Sequence, residues 1–342
     1  MKRIGLIFCS LLLMFACVDK GKKFNVVSSY KQNVYSGATI TFNIESKKNY
    51  VPDSVLILVD GNTQTFSKTK ACPLSTEGMS MGEKTVTIQT YYNGKKEVHL
   101  RSIRILSDIV PAKLKYEVVA SYKHDNQSYT QGLQFENGKF YESAGLYDES
   151  SLRYVDVKTG NVLRKKAIDS VYFAEGLTIV GDSLYQLTWR EQTGFIYNKN
   201  TFEQIGVFTY PTEGWGMCYD GTYLIVSDGT EYLYFYEPKS MSLHHKIAVY
   251  DNLGTVSSLN ELEFVQGFVY ANIYTTDKIV KINPKNGKVA AEIDFSDLLP
   301  EQFRNDVDVL NGIAWNPETD HFYITGKLWP RLFEVRLFFQ KD

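Results

Sequence analysis

Cysteine, histidine and net charge are all scarce in this 342-residue sequence, and each scarcity removes a class of protein. The four cysteines, at positions 9, 17, 72 and 218, are too few and too scattered for a disulfide framework, so stability has to come from a buried core. Among the five histidines the only close pair is His244-His245, and successive side chains on a strand point to opposite faces. His99, His124 and His321 are scattered, so no zinc-type ligand set is visible and no metal is assigned. Lys and Arg number 37 against 39 Asp and Glu, and a net charge of -2 creates no field that would gather nucleic acid. The apolar run Ile4 to Ala16 is too short to span a bilayer as a stable helix. What the chain does have is aromatic residues, 24 Tyr and 20 Phe, alternating with polar ones as half-buried faces of antiparallel sheets require. The expected fold class is all-β.

The positively charged Met1-Lys2-Arg3 followed by that short apolar run reads as a signal peptide, residues 1–17, so the protein is expected to be exported. Its end, Leu13-Met14-Phe15-Ala16-Cys17, resembles a bacterial lipobox, in which Cys17 becomes the lipidated first residue of the mature chain. The expectation is a lipid anchor on a bacterial membrane, at its periplasmic or surface face. Cleavage near Ala16 with Cys17 left as an ordinary residue is the alternative.

Residues 24–108 hold short alternating runs, among them Phe24 to Ser28, Ala38 to Ile44, Val55 to Val59 and Thr85 to Tyr91, separated by turn material. Asn93-Gly94 supplies the positive φ angles of a tight hairpin turn. An immunoglobulin-like β-sandwich is the simplest reading, with no catalytic constellation in it. Ile109-Val110-Pro111-Ala112 reads as a linker.

Residues 113–342 repeat. A short motif opens each unit, at Gln131-Gly132-Leu133, Glu175-Gly176-Leu177, Trp215-Gly216-Met217, Glu261-Leu262-Glu263 and Asn311-Gly312-Ile313, in steps of about 40 to 50 residues, which is the spacing of propeller blades. Each motif is followed by further strands, but the last unit runs out of chain before a fourth. The stretch Tyr116 to Tyr122 has the length and alternation to fill that gap beside Leu332 to Leu337, closing the ring and removing an exposed edge. The expectation is a five-bladed β-propeller.

In a propeller the first strand of each blade lines the central channel, so the opening motifs converge. They would bring Gln131, Glu175, Trp215, Asn260, Glu261 and Asn311 to one mouth, a mixture of amides, carboxylates and an aromatic wall suited to a small polar ligand. Singly, any of them could merely satisfy a strand end.

The runs Tyr129-Thr130-Gln131-Gly132-Leu133, Glu142-Ser143-Ala144-Gly145-Leu146-Tyr147, Phe173-Ala174-Glu175-Gly176-Leu177, Gln186-Leu187-Thr188-Trp189, Glu213-Gly214-Trp215-Gly216, Ser227-Asp228-Gly229, Leu259-Asn260-Glu261-Leu262-Glu263, Asn311-Gly312-Ile313-Ala314 and Thr325-Gly326-Lys327-Leu328-Trp329-Pro330 together resemble plant and bacterial type glutaminyl cyclases. The resemblance covers roughly residues 116–337. It implies a glutaminyl-peptide cyclotransferase: the α-amine of an N-terminal glutamine attacks its own γ-amide carbon, ammonia leaves, and pyroglutamate remains. By this resemblance Glu175 is the general acid and base, its pKa raised by the apolar surroundings of Phe173 and Trp215. Gln131 and Asn260 are pocket amides that fix the attack geometry. Lys327 is expected to stabilise the developing oxyanion. Tyr129, Phe173, Trp189 and Trp215 are expected walls, with ordinary core packing as the alternative for Trp189. Tyr274 stands where the family usually has Trp, keeping a stacking surface and adding a hydroxyl.

No cofactor is required on this reading, which separates the chain from zinc-dependent animal cyclases, and a structural calcium ion in the channel is left open. The partners are peptides or proteins with N-terminal glutamine, and a monomer is expected. A non-enzymatic surface propeller that binds peptide or glycan is the runner-up. A lactone hydrolase is a third reading, and it would usually need a channel metal.

Overall fold

Period-two burial governs the strands, as in Thr39–Ser46, where Ile40, Phe42 and Ile44 are buried and the residues between them face outward. The computed structural model describes residues 21–30 and 32–339, so the leader and Cys17 lie outside the described residues. Among the described residues the elements are strands, apart from one 3₁₀ turn at Glu301–Phe303. The all-β expectation therefore holds.

By packing, the chain divides into two units and passes between them more than once. One holds Thr39–Leu74 and Thr85–Ser102 together with the first strand, Phe24–Ser28; the other holds Gln32–Ala38, Ser75–Lys84 and everything from Ile103 onward. In the N-terminal region Phe24–Ser28, Thr39–Ser46 and Ala71–Ser75 form a three-stranded sheet. Asn33–Tyr35, Lys95–Leu106, Gly82–Tyr92, Ser54–Val59 and Asn62–Ser67 form a five-stranded one, in that spatial order. Both tight hairpins use positive φ at consecutive residues, Asp60 with Gly61 and Asn93 with Gly94, as the twist of flanking strands demands.

The larger unit is propeller-like. Three four-stranded antiparallel sheets start at Thr130, Ala174 and Met217, each running outward in sequence order. An eight-stranded sheet follows, in which the strands from Leu259 to Asp294 and those from Leu310 to Phe339 are joined by the long strand Ala112–Lys123. That strand pairs antiparallel with the last one, Leu332 opposite Tyr122 and Leu337 opposite Tyr116, as the sequence predicts. It also pairs parallel with the preceding outer strand, Ala291 opposite Ala112, which no sequence pattern announced.

The innermost strands form a closed ring: Thr130–Glu136 packs on Ala174–Val180, that on Met217–Tyr219, and so on through Leu259–Val265 and Leu310–Asn316 back to the first. The repeated glycines explain how close they come. A Cβ on Gly176 would sit 2.5 Å from the Met217 nitrogen, and one on Gly216 would sit 2.1 Å from the Asn260 oxygen, so backbone meets backbone between neighbouring sheets. Four inner strands carry a register shift at the opening motif, at Thr130/Gly132, Ala174/Leu177, Leu259/Leu262 and Leu310/Ile313. Such bulges re-aim side chains, and here they fall at Gln131, Glu175, Asn260 and Asn311.

One expectation is corrected on an outer strand. His244 and His245 do not point to opposite faces: their Nδ1 atoms lie 2.8 Å apart, one ring donating to the other. The register shift there leaves His244 as the extra residue of a bulge, since Phe235 pairs with His245 and Tyr236 with Leu243, and the alternation fails locally.

Candidate active site

The residues singled out from the sequence meet around one cavity of about 160 Å³, lined by Tyr129, Gln131, Phe173, Glu175, Trp189, Trp215, Asn260, Tyr274 and Lys327. The inner strands supply Gln131, Glu175 and Asn260, while Trp189, Tyr274 and Lys327 directly follow the second strands of their sheets. The polar groups are the buried ones: Glu175 is 4 % exposed, Lys327 3 %, Gln131 3 % and Asn260 2 %. Tyr129, Trp189, Trp215 and Tyr274 are half-buried around them. Trp189 is thus a wall of the cavity.

Glu175 is bound by a directed amide. Gln131 donates from Nε2 to Glu175 Oε1 at 3.0 Å, and Gln131 Oε1 accepts from Asn311 Nδ2 at 3.2 Å, which fixes which way the Gln131 amide faces. Burial pushes the Glu175 carboxyl well above its ordinary range; Lys327 opposes that rise, and the carboxylates of Glu191 and Glu213 add to it. Burial also draws Lys327 down, against the pull of Glu175 and Asp308. The Lys327 ammonium lies 4.7 Å from the centre of the Tyr129 ring and 5.0 Å from that of Tyr274. Asn260 Oδ1 is buried without a hydrogen-bond partner, an acceptor left open beside the cavity.

The aromatic walls are held from behind. Phe173 packs edge-on against Tyr129 and Trp189 at 6.1 and 5.6 Å, and Trp215 against Tyr274 at 5.3 Å. The Tyr129 hydroxyl donates to Asp308 at 3.0 Å, and the Trp189 and Trp215 indoles both donate to Glu213.

Beneath Tyr129 lies a second buried carboxylate that sequence reasoning left without a role. Glu142 Oε1 accepts from Ser128 at 2.6 Å and Thr130 at 2.7 Å and pairs with His124 Nε2 at 3.0 Å. His124 Nδ1 bonds the Trp329 carbonyl at 2.8 Å, so the cluster ties the segment carrying Tyr129 and Gln131 to the one carrying Lys327. Glu142 stood inside one of the family-like runs, but its partners, all between His124 and Thr130, lie 12 to 18 positions upstream and gave no local signal.

Glu261, expected at the channel mouth, does not line the cavity, nor does Glu263 two residues on. Glu261 reaches from its own inner strand to accept from the Leu133 and Ile313 backbone nitrogens, at 3.2 and 2.8 Å, stapling three strands of the ring together. Glu263 accepts from Trp315 N, and burial pushes its carboxyl up to about 8. Among the described residues no group of three or more His, Cys, Asp or Glu side chains is arranged to hold a metal.

A propeller-like ring whose mouth holds a buried titratable carboxylate, a buried lysine and directed amides inside an aromatic cage defines an enzyme for a small polar group. The chain belongs to the glutamine cyclotransferase family, whose model matches residues 62–337. It is 41% identical over 226 residues to a glutaminyl-peptide cyclotransferase of Arabidopsis thaliana, covering 65% of this chain and 71% of that one. The crystal structure of Myxococcus xanthus glutaminyl cyclase superposes with a TM-score of 0.63 at 35% identity, over 68% of this chain and all of the other.

Proposed function

We propose that this cavity closes the N-terminal glutamine of peptides and proteins into pyroglutamate, with Glu175 moving the protons. The observation that carries the reading is the meeting of buried Glu175, its Oε1 held by Gln131, with buried Lys327 in a cage of a single side chain's size. The α-amine nitrogen attacks the γ-carbonyl carbon, forming the ring C–N bond and a tetrahedral centre. Glu175 takes the proton released by that nitrogen and returns it to the γ-nitrogen, whose bond to carbon then breaks to release ammonia. A carboxyl held above its ordinary range is matched to both transfers, because its anion is a stronger base toward the amine and its acid form can protonate the leaving nitrogen. Lys327 faces the oxygen on which negative charge builds, and the open Asn260 Oδ1 accepts an N–H of the substrate. These groups carry the chemistry without a cofactor.

The ring of inner strands, with Ala112–Lys123 completing the last sheet, supports a five-bladed propeller over residues 113–342. The paired three- and five-stranded sheets support an immunoglobulin-like sandwich over residues 24–108. The sequence of residues 1–17 supports export and lipidation at Cys17, with the protein a membrane-anchored monomer.

A Gln-initiated peptide incubated with the purified protein should release ammonia and yield a product refractory to Edman degradation, whereas the same peptide acetylated on its α-amine should release none. Equal release from both peptides would mean hydrolysis of the side-chain amide and would reject cyclisation.

A further inference from the structure

Glu213 is half-exposed beside the cavity, yet it holds two of the cavity's walls. Its Oε2 accepts the indole N–H of Trp189 at 2.8 Å and of Trp215 at 3.0 Å. The two indoles come from different sheets, Trp189 following the strand Ser183–Thr188 and Trp215 preceding Met217–Tyr219, so one oxygen atom joins opposite sides of a junction. The other oxygen, Oε1, faces the Arg190 guanidinium at 3.4 Å, and that guanidinium lies 3.6 Å from the centre of the Trp189 ring. Gly214 is the reason the segment can reach this far in: a Cβ there would sit 2.6 Å from both the Thr188 oxygen and the Tyr210 hydroxyl.

We infer that Glu213 is a positioning residue: by holding both indoles on one oxygen it sets the width of the slot that grips the glutamine side chain. The inference rests on the reading of Glu175 given above. This effect needs only an acceptor at Oε2. The charge of Glu213, which also bears on Glu175, is a second, separable variable. Because a single oxygen takes both indoles, glutamine can replace Glu213 with its amide oxygen in the same place, keeping the slot while deleting the charge.

The charged groups acting on Glu175 are few enough to follow. Lys327 favours its ionised form; Glu191 and Glu213 oppose it. Glu191 is tied to the Tyr147 hydroxyl at 2.8 Å, and Tyr129, Tyr147 and Tyr210 feel the Glu175 charge without being ionised at neutral pH. Arg190 remains beside Glu213 in either variant and partly screens it. Removing the Glu213 charge therefore leaves Lys327 opposed by burial and Glu191, and Glu175 becomes more acidic.

The test compares Glu213→Gln with Glu213→Leu in steady-state assays on a Gln-initiated peptide across pH, with Trp fluorescence and Tm recorded for each. Glu213→Gln should keep KM within about threefold while the acid limb of kcat/KM moves down by roughly half a pH unit. Glu213→Leu should show the same limb shift and raise KM about tenfold or more, with a changed Trp emission, as the unanchored indoles lose their spacing. An unmoved limb in Glu213→Gln overturns the electrostatic effect, and an unchanged KM in Glu213→Leu overturns the positioning effect. A parallel loss of kcat and Tm in both variants, with limb and KM in place, overturns both and leaves a structural residue. Glu175→Gln is run alongside: full turnover in that variant would defeat the Glu175 reading itself, whereas an inactive Glu175→Gln with wild-type Glu213 variants defeats only this inference.

Discussion

Glu175 and Glu142 are equally hidden, one 4 % and the other 1 % exposed, and they titrate in opposite directions. Burial raises both. Around Glu142 it is overcome by the His124 imidazolium, by Arg153 and by the Ser128 hydroxyl, which together hold the carboxyl down at about 2. Around Glu175 the one opposing charge is Lys327, beside a single neutral hydrogen bond from Gln131, and two further carboxylates push the same way as burial. Depth therefore says little about a carboxylate; the charge and hydrogen bonds in contact with it decide whether it is a permanent anion that fastens loops or a group poised to exchange a proton.

The sharpest way to break the comparison is to remove each carboxyl's charge while keeping its shape. Glu175→Gln should lower turnover by roughly two to four orders of magnitude, the usual contribution of general acid–base catalysis, with KM little changed and thermal stability equal to wild type or higher. Turnover within tenfold of wild type would move the proton transfers elsewhere. Glu142→Gln should do the reverse. Leaving His124 without its counter-charge in the interior should lower unfolding free energy by about 3 kcal/mol in urea titration, and the activity that remains should track the folded fraction. A Glu142→Gln protein as stable as wild type would show that the His124 pair contributes no net stability.

The smallest effect is the pH dependence of stability, and its two limbs separate the sites. A group whose folded pKa is depressed stabilises above its unfolded value, so the Glu142 contribution is present above about 4.5 and fades as pH falls toward about 2. His124, raised by its partner, stabilises fully below 6.5, and its contribution fades as pH climbs through the raised folded value. Glu175 acts with the sign of a raised acid: above pH 4.5 the unfolded chain ionises it and the folded one resists, so stability declines with pH until the folded carboxyl ionises too. Urea midpoints from pH 3 to 9 should lose part of that alkaline slope in Glu175→Gln and the acid slope in Glu142→Gln; unchanged slopes would contradict the assignments.

The sequence carried the cavity well because its residues sit in compact runs, which land either at the start of an inner strand or at the end of the second strand beside it. Glu175 and Gln131, 44 positions apart, were legible as members of repeated motifs long before their 3.0 Å contact could be known. Partners that belong to no repeat were not. His124, Ser128 and Asp308 have no pattern to mark them, and Glu213 stood beside Trp215 with nothing to say that its carboxylate also reaches Trp189. In the N-terminal region the strand Asn62–Ser67 was missed because its residues are polar and largely outward-facing, leaving no alternation to detect. The same physics explains His244: a bulge inserts one residue and the period of two is lost.

The strand Ala112–Lys123 has both of its edges occupied, and one of its partners is the last described strand of the chain. Arg336 meets Glu117 across 219 positions of sequence. During synthesis this strand emerges early and then waits, unpaired on that edge, until nearly every other residue has been made. Loop closure over such a separation is slow, and the ring cannot finish from a partial chain. Late closure leaves a segment made early among the last to lock, so the ring stays open until the final strand arrives.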